Sequence, residues 1–245
     1  MKIKVLKDEN SELEFLIEFD SKTNFQFLNA LRRTMMGHIE TFAIEDVYIR
    51  ANSSALWDEY LAHRLGLLVI RAEKPAKRVK FFLKVKGPKT VYAKDIKVEG
   101  NAEIVYPETI LVELDEGQEI DLYATGKWGK GIEHAKWSPC LATYRHYVEV
   151  FFDKKDKEFK TYCEKNGILV EEREDKYVAI DCLKREGVLQ IAESRGYEIK
   201  EYDNKVVFYL ESWGQLKKED IVVLGAETLK RMLEEFRLRL FKIIS

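Results

Sequence analysis

Long apolar runs are absent from this sequence. No stretch approaches the roughly 18 to 20 consecutive apolar residues that cross a bilayer, so a membrane-spanning helix is not expected. The opening, MKIKVLKDENSELEF, lacks the apolar centre of a signal peptide, which points to a cytoplasmic protein. A surplus of one charge is missing too. Lys and Arg number 41 against 43 Asp and Glu, so no overall positive field exists to hold nucleic-acid phosphates. Cysteine is scarce: Cys140, Cys163 and Cys182 are odd in number and far apart, which argues against a disulfide framework and for a reducing compartment. The histidines His38, His63, His134 and His146 are scattered, and there is no His-Glu-x-x-His pair, Gly-x-Ser-x-Gly elbow or aspartate cluster suited to two magnesium ions. No catalytic residue is expected.

What is present is a globular composition, 46% apolar and 34% charged, in a chain long enough for a full core. Residues 12–20, ELEFLIEFD, alternate as a half-buried strand with Leu13, Phe15, Ile17 and Phe19 on one face. Thr23 and Gln26 fit a capping box for a helix with Phe27 or Leu28, Leu31 and Met35 on its apolar stripe, and Gly37 suits a left-handed stop. Asn29, Arg32 and Arg33 fall off that stripe. They read either as solvated helix polars or, the arginines being adjacent beside an apolar face, as a many-donor partner contact. TFAIEDVYIR alternates as a strand. Ser53 or Ser54 then suits the cap of a second helix, with Asp58 and Glu59 in its first turns, a stripe of Trp57, Leu61, Leu65 and Leu68, and His63 and Arg64 as outward polars.

From 71 to 89 the chain is basic: Arg71, Lys74, Lys77, Arg78, Lys80, Lys84, Lys86 and Lys89. Val79, Phe81, Leu83 and Val85 alternate with much of that charge, so the stretch reads as the wet face of a strand or as a contact with an acidic partner or phosphate backbone. A turn at Gly87-Pro88 and short strands at VYAKDIKV, TILVELDE and EIDLYAT make the middle mostly β. GKWGKGIEHAKWSP, 126–139, reads as a loop, either clamped against another surface or simply exposed; the strand YRHYVEVFF follows. Residues 153–202 form a distinct block, read as helix, strand, strand, helix, strand. Its two cysteines lie 19 apart with no third cysteine or histidine, so a metal site fails. KVVFYLES is a strand. The tail from Lys217 is a long helix in which Val222, Ala226, Leu229, Leu233, Phe236 and Leu240 recur at steps of four and three, while Ile221, Met232 and Leu238 widen the apolar surface. Such a helix needs cover from its own domain and from a second chain.

Five blocks, in order, carry a family resemblance: NALRR at 29–33, AIEDVYIRANSSALWDEYLAHRLGLL at 43–68, VYAKDIKV at 91–98, KGIEHAKWSP at 130–139, and FYLESWGQLKKEDIVVLGAETLKRML at 208–233. Together they resemble the α-like subunits of cellular RNA polymerases, in the group of the archaeal D-type chain and the eukaryotic third subunit. The resemblance implies an α+β fold. A discontinuous α-like dimerisation domain would take residues 1–48, 141–152 and 203–245, with a β-rich domain inserted at 49–140 and a small ferredoxin-like α/β insert at 153–202. Because that insert holds only Cys163 and Cys182, no iron–sulfur cluster, metal or other cofactor is expected. The absence of a cysteine-rich zinc loop favours an archaeal source.

The implied function is that of a non-catalytic assembly subunit of DNA-directed RNA polymerase. It would pair with the small α-like subunit L and recruit the large subunits for transcription, meeting DNA only through the complex. Leu28, Leu31, Met35, Val222, Leu229, Leu233, Phe236 and Leu240 would form the heterodimer interface. Asn29, Arg32, Arg33, Asp58, Glu59, His63 and Arg64 would face the second-largest, B-type subunit. His134, Lys136 and Trp137 would touch a large subunit or the small zinc-binding subunits N and P. The competing class is a free-standing nucleic-acid-binding module using the 71–89 stretch, which predicts salt-sensitive binding.

Overall fold

The computed structural model of the protein describes residues 1–73 and 79–244; Lys74, Lys77 and Arg78 of the basic stretch lie outside the described residues. In chain order the elements are β1 (Lys2–Glu9), β2 (Glu12–Glu18), α1 (Phe25–Gly37), β3 (Glu40–Asn52), α2 (Asp58–Gly66), β4 (Ile70–Ala72), β5 (Lys80–Lys86) and β6 (Lys89–Tyr92). Next come β7 (Lys97–Glu99), β8 (Ala102–Ile104), β9 (Ile110–Leu114), β10 (Glu119–Lys130), β11 (Cys140–Asp153) and α3 (Lys157–Lys165). The chain closes with β12 (Val170–Arg173), β13 (Lys176–Ile180), α4 (Glu186–Ser194), β14 (Glu198–Ser212) and α5 (Lys218–Ile244). The strand-rich, mixed α and β character expected from the sequence is present. Among the described residues no helix is long and apolar enough to cross a membrane.

Two compact units divide the chain, each built from two segments. One comprises residues 1–29 and 142–210, the other 30–141 and 211–245. The first is organised on a six-stranded sheet of order β1-β2-β14-β11-β13-β12. The alternation of residues 12–18 does what it predicts, burying Leu13, Phe15 and Ile17, and Phe15 stacks on Phe208 of β14 with ring centroids 5.2 Å apart. The block 153–202 is not a detached body: its strands β13 and β12 extend this sheet from β11. Its helices contribute Phe159, Cys163, Val188 and Ala192 to a core with Val150 and Phe152 of β11.

The second unit holds a four-stranded sheet of order β3-β10-β5-β7 and two ribbons, β4-β8 and β6-β9. Leu61, Leu65 and Leu68 of the α2 stripe join Phe42, Ile44, Phe81, Leu83 and Leu122 in its core. In a strand successive side chains alternate faces, so Phe81 and Leu83 point inward while Lys80 and Lys84 stay wet.

Several local expectations are corrected. Asn24, not Thr23, caps α1, its Oδ1 accepting from the Phe27 N–H at 2.9 Å; Thr23 Oγ1 is buried without a hydrogen bond. Gly37 ends α1 without a positive φ. Neither Ser53 nor Ser54 caps α2, whose N-cap is Trp57 with no side-chain bond; Asn52 organises that turn, donating to the Leu56 carbonyl and to Asp58. Trp57 is not on the buried stripe: it is 76% exposed. VYAKDIKV is broken by a 3-10 turn at Ala93–Asp95, and residues 198–212 form one strand where two were expected. The segment 126–139 begins as strand, because β10 continues to Lys130 paired with β3. β1 is a strand that the sequence pattern above does not mark.

Candidate partner interfaces

The clearest candidate is α5. Its Ile221 and Gly225 are buried, Val222 and Leu229 are half-buried, and every residue from Lys230 to Ile244 is exposed. The close approach at Gly225 explains the first half: a Cβ there would stand 2.6 Å from Met35 Cγ, so only glycine lets α1 and α5 come this near. With 100° per residue, Met232, Leu233, Phe236, Leu240 and Ile243 continue the same stripe past the point where cover ends. Leu233 is 62% and Phe236 64% exposed. The bare part rises about 22 Å.

The eight residues expected at a heterodimer interface therefore divide. Leu28, Leu31 and Met35 are buried in the chain's own interior and offer no surface to a partner. Val222 and Leu229 lie at the border, and Leu233, Phe236 and Leu240 are bare. On α1, Asn29 and Arg32 are half-buried and Arg33 is exposed.

On α2, Asp58, Glu59, His63 and Arg64 are all exposed, but they do not share a face. Helical spacing puts Glu59 and His63, four residues apart, on one face, with Asp58 and Arg64 turned away from it to either side. Arg64 also has a task within the fold, donating from Nη2 to the Ile110 carbonyl at 2.8 Å.

The expected contact loop is mostly internal. Trp137 is buried; its carbonyl accepts from Thr41 Oγ1 at 2.7 Å and its indole N–H donates to the Lys127 carbonyl at 3.3 Å. Gly129 makes room for the ring, since a Cβ there would lie 2.4 Å from it. Lys136 donates to the Ile44 carbonyl at 3.0 Å, pairs with Glu45 and covers the Trp137 ring at 4.5 Å. Hydrogen bonds from Lys127 and Lys136 hold the Glu45 carboxyl below its ordinary range. Of the three loop residues only His134 is exposed, its Nδ1 accepting from the Lys136 N–H.

Comparison with known proteins decides the family. A model of the RNA polymerase Rpb3/RpoA insert domain matches residues 47–139. DNA-directed RNA polymerase subunit Rpo3 of Pyrococcus furiosus is 32% identical, over 100% of this chain and 99% of its own length. Subunit Rpo3 of Methanocaldococcus jannaschii is 39% identical over 89% of this chain and 86% of its own. DNA-directed RNA polymerase II subunit rpb3 of Dictyostelium discoideum is 28% identical over 96% and 93%. The chain belongs to the Rpo3 family of DNA-directed RNA polymerase subunits. It is therefore part of a nucleotidyltransferase complex acting in transcription.

In this Rpo3-family chain the described part of the basic stretch is largely neutralised by neighbours. Lys84 meets Asp121 at 2.8 Å, Lys89 meets Asp95 at 2.6 Å, Arg71 meets Glu103 at 2.5 Å and Lys86 lies 3.5 Å from Glu119. Opposite charges paired across strands are what a solvated sheet face looks like.

Sequence reading missed two buried charge clusters in the first unit of this Rpo3-family chain, because their members are far apart along the chain. Arg145 lies between Glu14 and Asp181, and Lys184 reaches Glu14 at 3.0 Å. Burial holds Asp181 above the usual carboxylate range although Arg145 bonds it. In the second cluster, Glu149 accepts from Tyr147, Tyr202 and the Arg173 fork. Both are internally satisfied and serve the fold.

The three thiols are buried, and burial raises them to about 12 for Cys140 and Cys182 and about 11 for Cys163. Thiolate is the reactive form. The native protein is expected to show no thiol titratable by a disulfide reagent at pH 8, and all three after guanidinium is added.

Proposed function

We propose that the chain is a non-catalytic assembly subunit that forms a heterodimer with the small α-like subunit L and then recruits the second-largest subunit, with N and P joining the same scaffold. The observation that carries this is α5: one apolar stripe, covered over its first half and bare over its last fifteen residues. A bare helical stripe of this length in a monomer is the mark of an interface. That its relatives are polymerase subunits supports the rest. The division of labour along the chain, with 49–140 inserted between parts of a dimerisation domain, an α/β insert without a cluster, and an archaeal cytoplasmic setting, belongs to the same proposal.

The experiment is direct. The purified chain mixed with subunit L is expected to elute as a 1:1 complex by size-exclusion light scattering, and separate elution of the two refutes the reading. Recruitment has its own check. Arg32→Ala with Arg33→Ala is expected to leave pairing intact and to weaken, about tenfold, the capture of the second-largest subunit, as for loss of an arginine hot spot.

The nucleic-acid reading has no observation in its favour. Its lysines are paired with acids, and the aromatic rings on that sheet face each other: Tyr48 and Tyr123 stack at 4.5 Å, with Arg50 over Tyr123, so the faces a base would use are occupied.

A further inference from the structure

The bare half of α5 carries a charge pattern that its apolar residues alone do not explain. Placed on a seven-residue repeat abcdefg, Leu229, Phe236 and Ile243 fall at d and Leu233 and Leu240 at a, so these residues make the seam. The positions that border a seam on its two sides are e and g. Here they hold Lys230, Met232, Arg237, Arg239 and Ile244, so every charged border residue is a cation. The acids Glu227, Glu234 and Glu235 stand at b and c, outside that border.

The fold leaves these three cations unaccounted for. The negative end of a helix dipole favours basic residues in the last turn, which covers Lys242 and does not reach back to Lys230, Arg237 or Arg239. All three are exposed, and among the described residues none of them is held in an ion pair. The whole chain has a net charge of -2, yet Lys230 to Ile244 holds five cations against two carboxylates. In paired helices the charges at e and g choose the partner and its direction. We propose that Lys230, Arg237 and Arg239 select, as the occupant of the stripe, a helix that is apolar at its own seam and carries carboxylates along its borders, and that they discourage pairing of the chain with itself. The inference rests on the pairing reading above and adds how the partner is chosen. A second copy offers the same cations at the same positions and no border acid to meet them. Protein already covers the first half of the stripe, where Met35 of α1 closes on Gly225, and a second helix continues that cover. A DNA backbone would meet the cations and leave Leu233, Phe236 and Leu240 wet.

The test titrates subunit L against the full chain at low and at physiological salt, and follows self-association of the chain alone by light scattering. Lys230→Gln with Arg237→Gln is expected to weaken pairing about tenfold at low salt, and adding Arg239→Gln to remove most of the salt dependence. Arg231→Gln with Lys242→Gln removes the same charge from positions off the border and should bind within about threefold of wild type. Self-association moves the other way, rising about tenfold once the border cations are neutral. All these positions are exposed and glutamine is a good helix former, so the melting curves stay as in the wild type. Pairing of the border variants within about twofold of wild type overturns the proposal. So does an equal loss in the two charge-matched pairs, since net charge alone is then at work. Displacement of subunit L by a DNA duplex or by vesicles of anionic phospholipid overturns it too, because the cations then answer to phosphate. Failure of the wild-type chain to pair with subunit L refutes the earlier reading instead, and the self-association measurement still reports whether the border cations hold two copies apart.

Discussion

Leu233→Asp is expected to abolish pairing with subunit L. At 62% exposure the residue contributes little to the free chain, so the variant folds and melts as the wild type does. In the complex the same position lies in the middle of the bare stripe, between half-buried Leu229 and exposed Phe236. A carboxylate buried there without a partner costs about 4 kcal/mol, roughly a thousand-fold in Kd. Light scattering of the mixed sample should show two separate species at concentrations where the wild type is fully complexed. Glu227→Lys, exposed and off the stripe, is the control and should bind within about threefold of wild type, as rim charges do. Equal affinity for Leu233→Asp and wild type would remove this stripe from the interface.

Glu149→Ala is expected to be the most destabilising single change in the first unit. The carboxylate is 2% exposed and accepts from three side chains on three strands: Tyr147 on β11, Arg173 on β12 and Tyr202 on β14. Removing it strands the buried Tyr147 hydroxyl and breaks the tie between the sheet's centre and its β12 edge. Loss of one partner from a buried ionic cluster costs about 3–5 kcal/mol. The lower end applies, because Arg173 is 43% exposed and keeps Glu171 at 2.8 Å. Calorimetry should show the transition of this unit lowered by about 10 °C or more.

The same cluster fixes an acid limb. Burial pushes the Glu149 carboxyl up, but hydrogen bonds from Tyr202, Arg173 and Tyr147 outweigh it, and the group sits below its ordinary value of 4.5. Its contribution is therefore full above about pH 4.5 and is lost as pH falls through the lower, folded value. Glu149→Ala should flatten this part of the stability profile. Asp181, raised by burial, acts in the opposite sense and favours the fold slightly more as it protonates.

Patterns local to one element were legible in the sequence: the alternation of β2, the leucine stripe of α2 and the long apolar seam of α5 all follow from periods of 2 and 3.6. What the seam could not reveal was where cover ends. Leu28 and Leu233 look alike in sequence, and only the fold shows that the first is fully buried and the second bare. The burial of the loop's tryptophan was hidden for a related reason. Trp137 reads as a surface aromatic among glycines, yet Gly129 opens the slot that takes its ring. The exposure of Trp57 was hidden because its spacing to Leu61 fits the buried stripe as well as its spacing to Tyr60 and Arg64 fits the wet flank. The clusters at Glu149 and Arg145 needed partners from three or more separate strands and loops, which no local period encodes.

The place of β11 and β14 as neighbours in the sheet has a further consequence. The chain leaves the sheet after Asp153 and returns at Glu198 on the adjacent strand, so everything between is a closed excursion. That excursion brings its own roof: α3 and α4 shelter the strands added with them, and from β11 the shared core draws on Val150 and Phe152. Excising the segment would leave β11 beside β14, but it would also uncover Val150 and Phe152 and take away Asp181, Lys184 and Arg173, the partners of Arg145, Glu14 and Glu149.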